Sequence, residues 1–237
     1  MDIFEMFSDS YISYPFSNFS RIFILGVLFC TGVFLIIPAF FAGGYLFRII
    51  ENTIKGNYGL PPFENWKKMF NDGLKVAAVI IFYALPGLIS ELLLILLIQG
   101  NYSSIFNSWL SIGIWMLTIL LYISAYVLSI TAIPRMATKS LKAAIDVKMV
   151  IKDIKIIGLK KYTLSLLGFT IMATYLMLFA GYLHEIFYGI FYFIGPITFL
   201  NVFIVNFVAN LMVYPLLIAS QGRLMGLIYL ERVQSLN

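Results

Sequence analysis

Long apolar runs separated by short polar gaps dominate the chain. Five runs are long enough to be membrane spans, at residues 22–47, 74–97, 109–133, 163–183 and 197–220. About 20 apolar residues, rising about 1.5 Å each, cross a hydrocarbon layer of roughly 30 Å. Helices satisfy their own backbone groups in that layer, so the pattern predicts an all-α polytopic transmembrane bundle in a single domain over 1–237. Pro38 and Gly43-Gly44 interrupt the first run, Pro86 the second, and Pro215 stands near the end of the fifth. Each proline is expected to kink its helix. If 22–47 is one span, the N-terminus faces away from the 48–75 loop. If it is a re-entrant V broken near Pro38, the N-terminus returns to that side.

A weak repeat organises the remaining runs. Gly73-Leu74-Lys75 opens a pair of apolar runs that closes at Pro134, and Gly158-Leu159-Lys160 opens a pair that closes at Pro215. Duplicated helical hairpins over 73–134 and 158–215 are the expected organisation.

Two gaps have helical periodicity of their own. Phe63, Trp66, Met69, Phe70 and Leu74 share one face, with Lys67, Lys68 and Asp72 opposite. Leu141, Ile145, Met149, Ile154 and Ile157 are read as the apolar side of the second gap, opposite a ridge of Lys148, Lys152 and Lys155. Both are expected to form short amphipathic helices in the headgroup plane.

Composition strengthens the membrane reading. The chain is 61% apolar and 11% charged, with a mean hydropathy of +0.94. Soluble domains average roughly 45–50% and about 25%. Charge then gives direction. Of sixteen Lys and Arg residues, fifteen fall within 45–76, 134–162 and the tail after Gln221, and none within 99–107 or 182–193. That asymmetry predicts a multi-pass cell-membrane protein with loops 48–75 and 135–161 and the C-terminus cytoplasmic. Residues 134–162 hold eight basic and two acidic side chains, a net charge of +6. Beside apolar spans, that charge suits anionic lipid on the cytoplasmic face and not nucleic acid. Lipid or partner contact is expected at Trp66, Lys67, Lys68, Lys148, Lys152 and Lys155, the partner being a membrane protein or a second copy. A plain determinant of topology is the simpler reading of the same charges.

Candidates for chemistry are few. Glu91 is the one formally charged side chain well inside a run, and an intramembrane carboxylate raises a functional hypothesis by default. Its expected partners are His184, an amide such as Asn206, or water. Asn206 and Asn210 share a helical face and with Glu91 form a candidate polar path. His184-Glu185 is a polar pair expected at the outer interface. Cys30 stands alone in an apolar run, where a buried structural role is expected. The sequence has no phosphate loop, nucleophile elbow or metal-ligand spacing, so no metal, cofactor or catalytic residue is expected. Gly222 and Gly226 make a GxxxG whose meaning here is close helix approach.

The runs Gly44-Tyr45-Leu46-Phe47-Arg48, Leu60-Pro61-Pro62-Phe63-Glu64-Asn65-Trp66 and Phe70-Asn71-Asp72-Gly73-Leu74-Lys75, with Tyr14-Pro15-Phe16 upstream, carry a resemblance. They resemble the prokaryotic multi-pass membrane proteins catalogued as domain of unknown function 4013. The family's acidic pair before the tryptophan is here Glu64-Asn65, so no carboxylate role transfers to the second position. The resemblance implies a small integral membrane protein and no mechanism. Three functions remain open: a non-enzymatic scaffold or accessory subunit, a small permease or channel component, and a membrane-embedded lipid-headgroup enzyme.

Overall fold

A computed structural model of the chain describes residues 3–32, 35–99, 105–192 and 209–234; most of these are helical, with no strand among them. The N-terminus forms α1 (Ile3–Ser8), a π-helical turn (Asp9–Ser13) and a 3-10 turn (Pro15–Ser17), followed by α2 (Phe19–Gly32) and α3 (Ile36–Ile54). The first expected span is therefore two helices. Leu35 is extended at φ −130°, ψ 125°, and α3 starts afresh behind it. A Cβ on Gly32 would lie 3.6 Å from the backbone nitrogen of Ala39. At the far end of α2, Arg21 donates to the carbonyl of Leu60, beyond the end of α3. The two helices thus fold back on each other, as the V reading requires and the single-span reading does not. With 14 residues, α2 is only about 21 Å long. Pro38 is the third residue of α3, where a missing N–H has no helical partner to lose, so it kinks nothing.

Among the described residues, four helices are long and apolar enough to cross a membrane: Trp66–Leu96, Trp109–Thr138, Leu159–Phe179 and Asn210–Gln234. The first three lie in α4 (Trp66–Gln99), α5 (Ile105–Thr138) and α8 (Leu159–Tyr192), each of 34 residues. The fourth combines a π-helical turn (Ala209–Val213) with α9 (Tyr214–Gln234). Pro86 and Pro134 lie inside uninterrupted helices. Pro215, the second residue of α9, lies just after the π-helical turn, inside the span Asn210–Gln234, and the interruption of the α-helical ladder falls beside it. Helices α4 and α5 pack against each other. The return limb of the second expected hairpin falls largely on 193–208, outside the described residues.

The amphipathic gaps differ from expectation in detail. In the first, no separate interfacial helix forms, because α4 begins at Trp66 and continues into the span. Its aromatic face meets protein, with Phe70 packing on Phe40 and Phe41, and Trp66 on Phe41 and Phe63. Gly44 and Gly73 permit this. A Cβ on either would fall 1.8 Å from a carbonyl oxygen of the opposite helix, of Met69 and Phe40 respectively.

The second gap divides into α6 (Leu141–Ala144) and α7 (Val147–Ile157). Ser140 and Asp146 cap their first turns, accepting from the backbone N–H of Ala143 and Met149. The second cap resets the helical phase. Leu141, Ile145 and Met149 are exposed, whereas Val150, Asp153, Ile154 and Ile157 face the bundle.

The centre of the bundle is α9. Of its candidate span 67% is buried, against 17% for that of α8. It lies along α3 through the GxxxG. A Cβ on Gly222 would meet Ile49 at 2.8 Å, and one on Gly226 would meet Thr53 at 2.5 Å.

Candidate functional site

Ionic contacts gather at the end of the bundle that carries the basic segments, and Asp153 is their most connected member. Its buried carboxylate accepts from Arg135 Nη1 on one oxygen and from Arg232 Nε at 3.0 Å on the other. The Tyr229 hydroxyl adds a third donor at 3.3 Å and itself accepts from Thr138 at 3.5 Å. Arg135, also buried, spends its Nε on the carbonyl of Ala143 at 2.9 Å. A charge taken out of water persists only when paired and hydrogen-bonded on every side, as here. The cluster fastens α7 to the ends of α5 and α9. The Tyr83 hydroxyl adds α4 through the carbonyl of Ala144 at 2.7 Å.

Arg223 plays the same part for the N-terminal segment. Its Nε donates to Asp9 at 2.7 Å, and its Nη1 to the carbonyl of Asn57 at 3.1 Å and the Thr53 hydroxyl at 3.4 Å. The guanidinium also lies over the rings of Tyr14 and Tyr58, at 4.9 and 5.2 Å. A planar, delocalised cation suits such a mixture of carboxylate, carbonyl and aromatic partners. Burial pushes the Tyr14 phenol up from its ordinary pKa, and the Arg223 charge offsets part of that rise.

The residues carrying the sequence resemblance form a clamp around the 55–65 loop. The Tyr45 hydroxyl donates to the carbonyl of Pro61 at 2.8 Å, and its ring stacks on Phe63 at 4.0 Å and 3°. Arg48 donates to the carbonyl of Asn65 at 2.9 Å and to that of Pro62 at 3.4 Å. Asn65 adopts φ 47°, a left-handed turn that asparagine tolerates, immediately before α4. At the end of α3, Glu51 accepts from Lys55 at 2.7 Å and lies 4.0 Å from Lys68. Burial alone would raise its pKa, but the Lys55 hydrogen bond and the Lys68, Lys55 and Arg48 charges outweigh burial and hold it below the ordinary carboxylate value.

The expected contact residues divide accordingly. Lys148, Lys152 and Lys155 are exposed on the side of α7 opposite its buried face, so the ridge exists as read. Lys67 and Lys68 are exposed on the first turn of α4, and Trp66, 44% exposed, is half engaged by its aromatic neighbours.

Of the candidates at span depth, the described residues include Glu91, Asn210 and Glu185. Glu91 accepts from the Tyr122 hydroxyl of α5 at 2.5 Å, a partner the sequence reading did not include. Beside this pair, Ser90 and Thr118 share a hydrogen bond of 2.7 Å across the same interface. Asn206 and the side chain of His184 lie outside the described residues. Asn210 is half-buried, and Glu185 is exposed on the wall of a groove between α5 and α8. Cys30 is in no disulfide and is half-buried where full burial was expected. Among the described residues, no group of His, Cys, Asp and Glu could hold a metal ion.

Sequence reasoning missed Asp9, Arg135, Asp153, Arg223 and Arg232 as a framework. The available signal was Asp146 before Val147, a helix cap that restarts the count and puts Asp153 on the buried face.

The sequence pattern of a family described as "Protein of unknown function (DUF4013)" matches residues 27–184. That stretch contains the glycine seam of α3 and α4, the clamp around 55–65, and α7. No curated protein and no solved structure matches the chain.

Proposed function

The chain belongs to the DUF4013 family of proteins of unknown function, and from that premise and its apolar helices we propose that it is a non-enzymatic membrane scaffold or accessory subunit. On this reading its basic end faces the cytoplasm and binds anionic lipid headgroups and a membrane-protein partner. One observation carries the reading: α7 is pinned by Asp153 between Arg135 and Arg232 with Lys148, Lys152 and Lys155 turned outward. A fixed row of cations loses little conformational freedom on meeting an anionic surface, and each contributes about 1 kcal/mol there. Arg21 supports the orientation. It is the one basic residue outside the three charged segments, yet it bonds to Leu60, within the first of them.

The test uses the full chain in bilayer nanodiscs of phosphatidylcholine mixed with phosphatidylglycerol, with retained lipid counted by mass spectrometry. Replacing Lys148, Lys152 and Lys155 with Gln should remove up to roughly 3 kcal/mol of preference for the anionic lipid. The preference should fade with salt as the Debye length falls from about 30 Å at 0.01 M to 3 Å at 1 M. Unchanged retention in the triple variant would refute the reading.

The Glu91–Tyr122 pair supports a second reading, a permease component with Glu91, Asn206 and Asn210 along a polar path. A lipid-headgroup enzyme acting through His184 and Glu185 has the least support, since the two belong to no catalytic sequence motif.

A further inference from the structure

Helices α5 and α8 meet at the basic end of the bundle, where the Thr131 hydroxyl donates to that of Tyr162 at 3.1 Å. Beyond that contact they leave an open groove of about 1360 Å³. Tyr126 and Val127 line it on α5, and Thr163, Leu167, Thr170 and Thr174 on α8. Both walls belong to helices that span the membrane, so water is not the natural filling. Thr163 and Thr170 spend their hydroxyls on their own helix, at the carbonyls of Leu159 and Leu166 at 2.8 and 2.9 Å. A mainly apolar channel is left, with Glu185 on its wall at the end of α8 away from Lys160.

Its rim at the basic end is cationic. Lys160 is exposed and stands one turn before Thr163, on the stripe that continues through Leu167, Thr170 and Thr174. Ten residues of α8 separate Lys160 from Thr170, about 15 Å of rise, which is half of a roughly 30 Å hydrocarbon layer. Beside the channel, Phe169 lies between the rings of Tyr11 and Tyr126 at 6.3 and 6.5 Å. The Tyr11 hydroxyl is buried and has no hydrogen-bond partner among the described residues.

We infer that this groove is a binding site for a single anionic phospholipid of the leaflet at the basic end. The headgroup sits at Lys160, and an acyl chain lies along the Thr163–Leu167–Thr170–Thr174 stripe. Lys160 supplies the charge and α8 the slot, so the site selects lipid by headgroup sign and by chain together. It is distinct from the ridge on α7, which holds headgroups at the surface and no chain.

The experiment uses the full chain in phosphatidylcholine nanodiscs doped with phosphatidylglycerol carrying a photoactivatable diazirine in its acyl chain, with peptide mapping after illumination. Labelling should concentrate within 122–127 and 163–174, and unlabelled phosphatidylglycerol should compete where added phosphatidylcholine does not. Lys160→Gln should lower labelling about fivefold, the loss expected for one interfacial cation. Thr170→Trp, at an exposed position, should block it while the protein still elutes as a single species. The triple Gln variant of the α7 ridge should label normally, so failure of that site and of this one are distinguishable. Labelling spread evenly over the exposed faces of α4, equal competition by phosphatidylcholine, or cross-links from the groove to another segment or copy of the chain would each overturn the inference.

Discussion

Arg232 Nε donates to Asp153 Oδ1 at 3.0 Å, joining residues 79 apart in the chain while Arg135 holds the other carboxylate oxygen. One aspartate thereby fixes a surface helix to two helices that span the membrane. Geometrically, the basic end is a framework as well as a charged surface. The lysines of α7 are placed by a carboxylate that none of them touches.

Removing that carboxylate leaves two arginines, one fully buried, without their anion. Breaking a buried pair from one side costs about 3–5 kcal/mol, so Asp153→Ala should be strongly destabilising. Lys155→Ala, two residues on and on the exposed face, should stay within about 0.5 kcal/mol. Thermal unfolding of both variants in one detergent checks this. Equal midpoints would mean that the Asp153 cluster holds nothing together.

The glycine seams make a sharper contrast. At Gly44 and Gly73 an added Cβ would lie 1.8 Å from backbone carbonyl oxygens, which cannot rotate away as a side chain could. Gly44→Ala and Gly73→Ala should each separate α3 from α4 and yield little monodisperse protein. Gly113 has nothing within 4 Å of the same Cβ. Gly113→Ala should be neutral or stabilising by up to about 1 kcal/mol, since alanine is the better helix former. Size-exclusion profiles of the three variants are the readout.

Much of the fold was legible because hydrophobic length alone marks helices such as α4, α5 and α8. Less legible was the break in the first run. Residues 22–47 are apolar throughout, and no hydropathy pattern separates one long helix from two short ones packed together. The extended Leu35 and the close approach of Gly32 to Ala39 are decided in three dimensions. On α7 the periodicity places Ile154, Ile157 and the lysine ridge correctly but puts Met149 on the buried side, because it runs through Asp146 as if that cap were an interior residue. The resemblance motif was recognisable, but its purpose was not. Tyr45, Arg48 and Phe63 hold the 55–65 loop and Gly73 lies in the α3–α4 seam, so these motif residues have packing roles that the sequence alone does not show.

The hairpin of α2 and α3 returns the N-terminus to the basic end, where Asp9 meets Arg223. A single cysteine at position 5, with Cys30 replaced, should therefore share the accessibility of one at 155. In intact cells both should resist an impermeant maleimide and react only after permeabilisation. Opposite behaviour at the two positions would restore a single span through 22–47.

Glu91 tests whether a polar group at span depth is structural or working. The carboxylate is exposed to the surroundings of α4 and is held by the Tyr122 hydroxyl at 2.5 Å. A carboxylate facing lipid without a donor costs about 2.5–3.5 kcal/mol on insertion scales, and a hydrogen bond to a charged group contributes about 1.5–3. Tyr122→Phe should therefore destabilise more than Glu91→Gln, because it strands the charge where the amide replacement removes it. Adding Glu91→Gln to Tyr122→Phe should recover most of the loss, a coupling that a double-mutant cycle measures directly. Simple additivity would mean that the pair does not interact in the membrane. The same proteins in liposomes decide the role: with a structural Glu91, a pH gradient should drive no flux that depends on it. A pH-driven flux abolished by Glu91→Gln, with expression and elution intact, would put the permease reading above the scaffold.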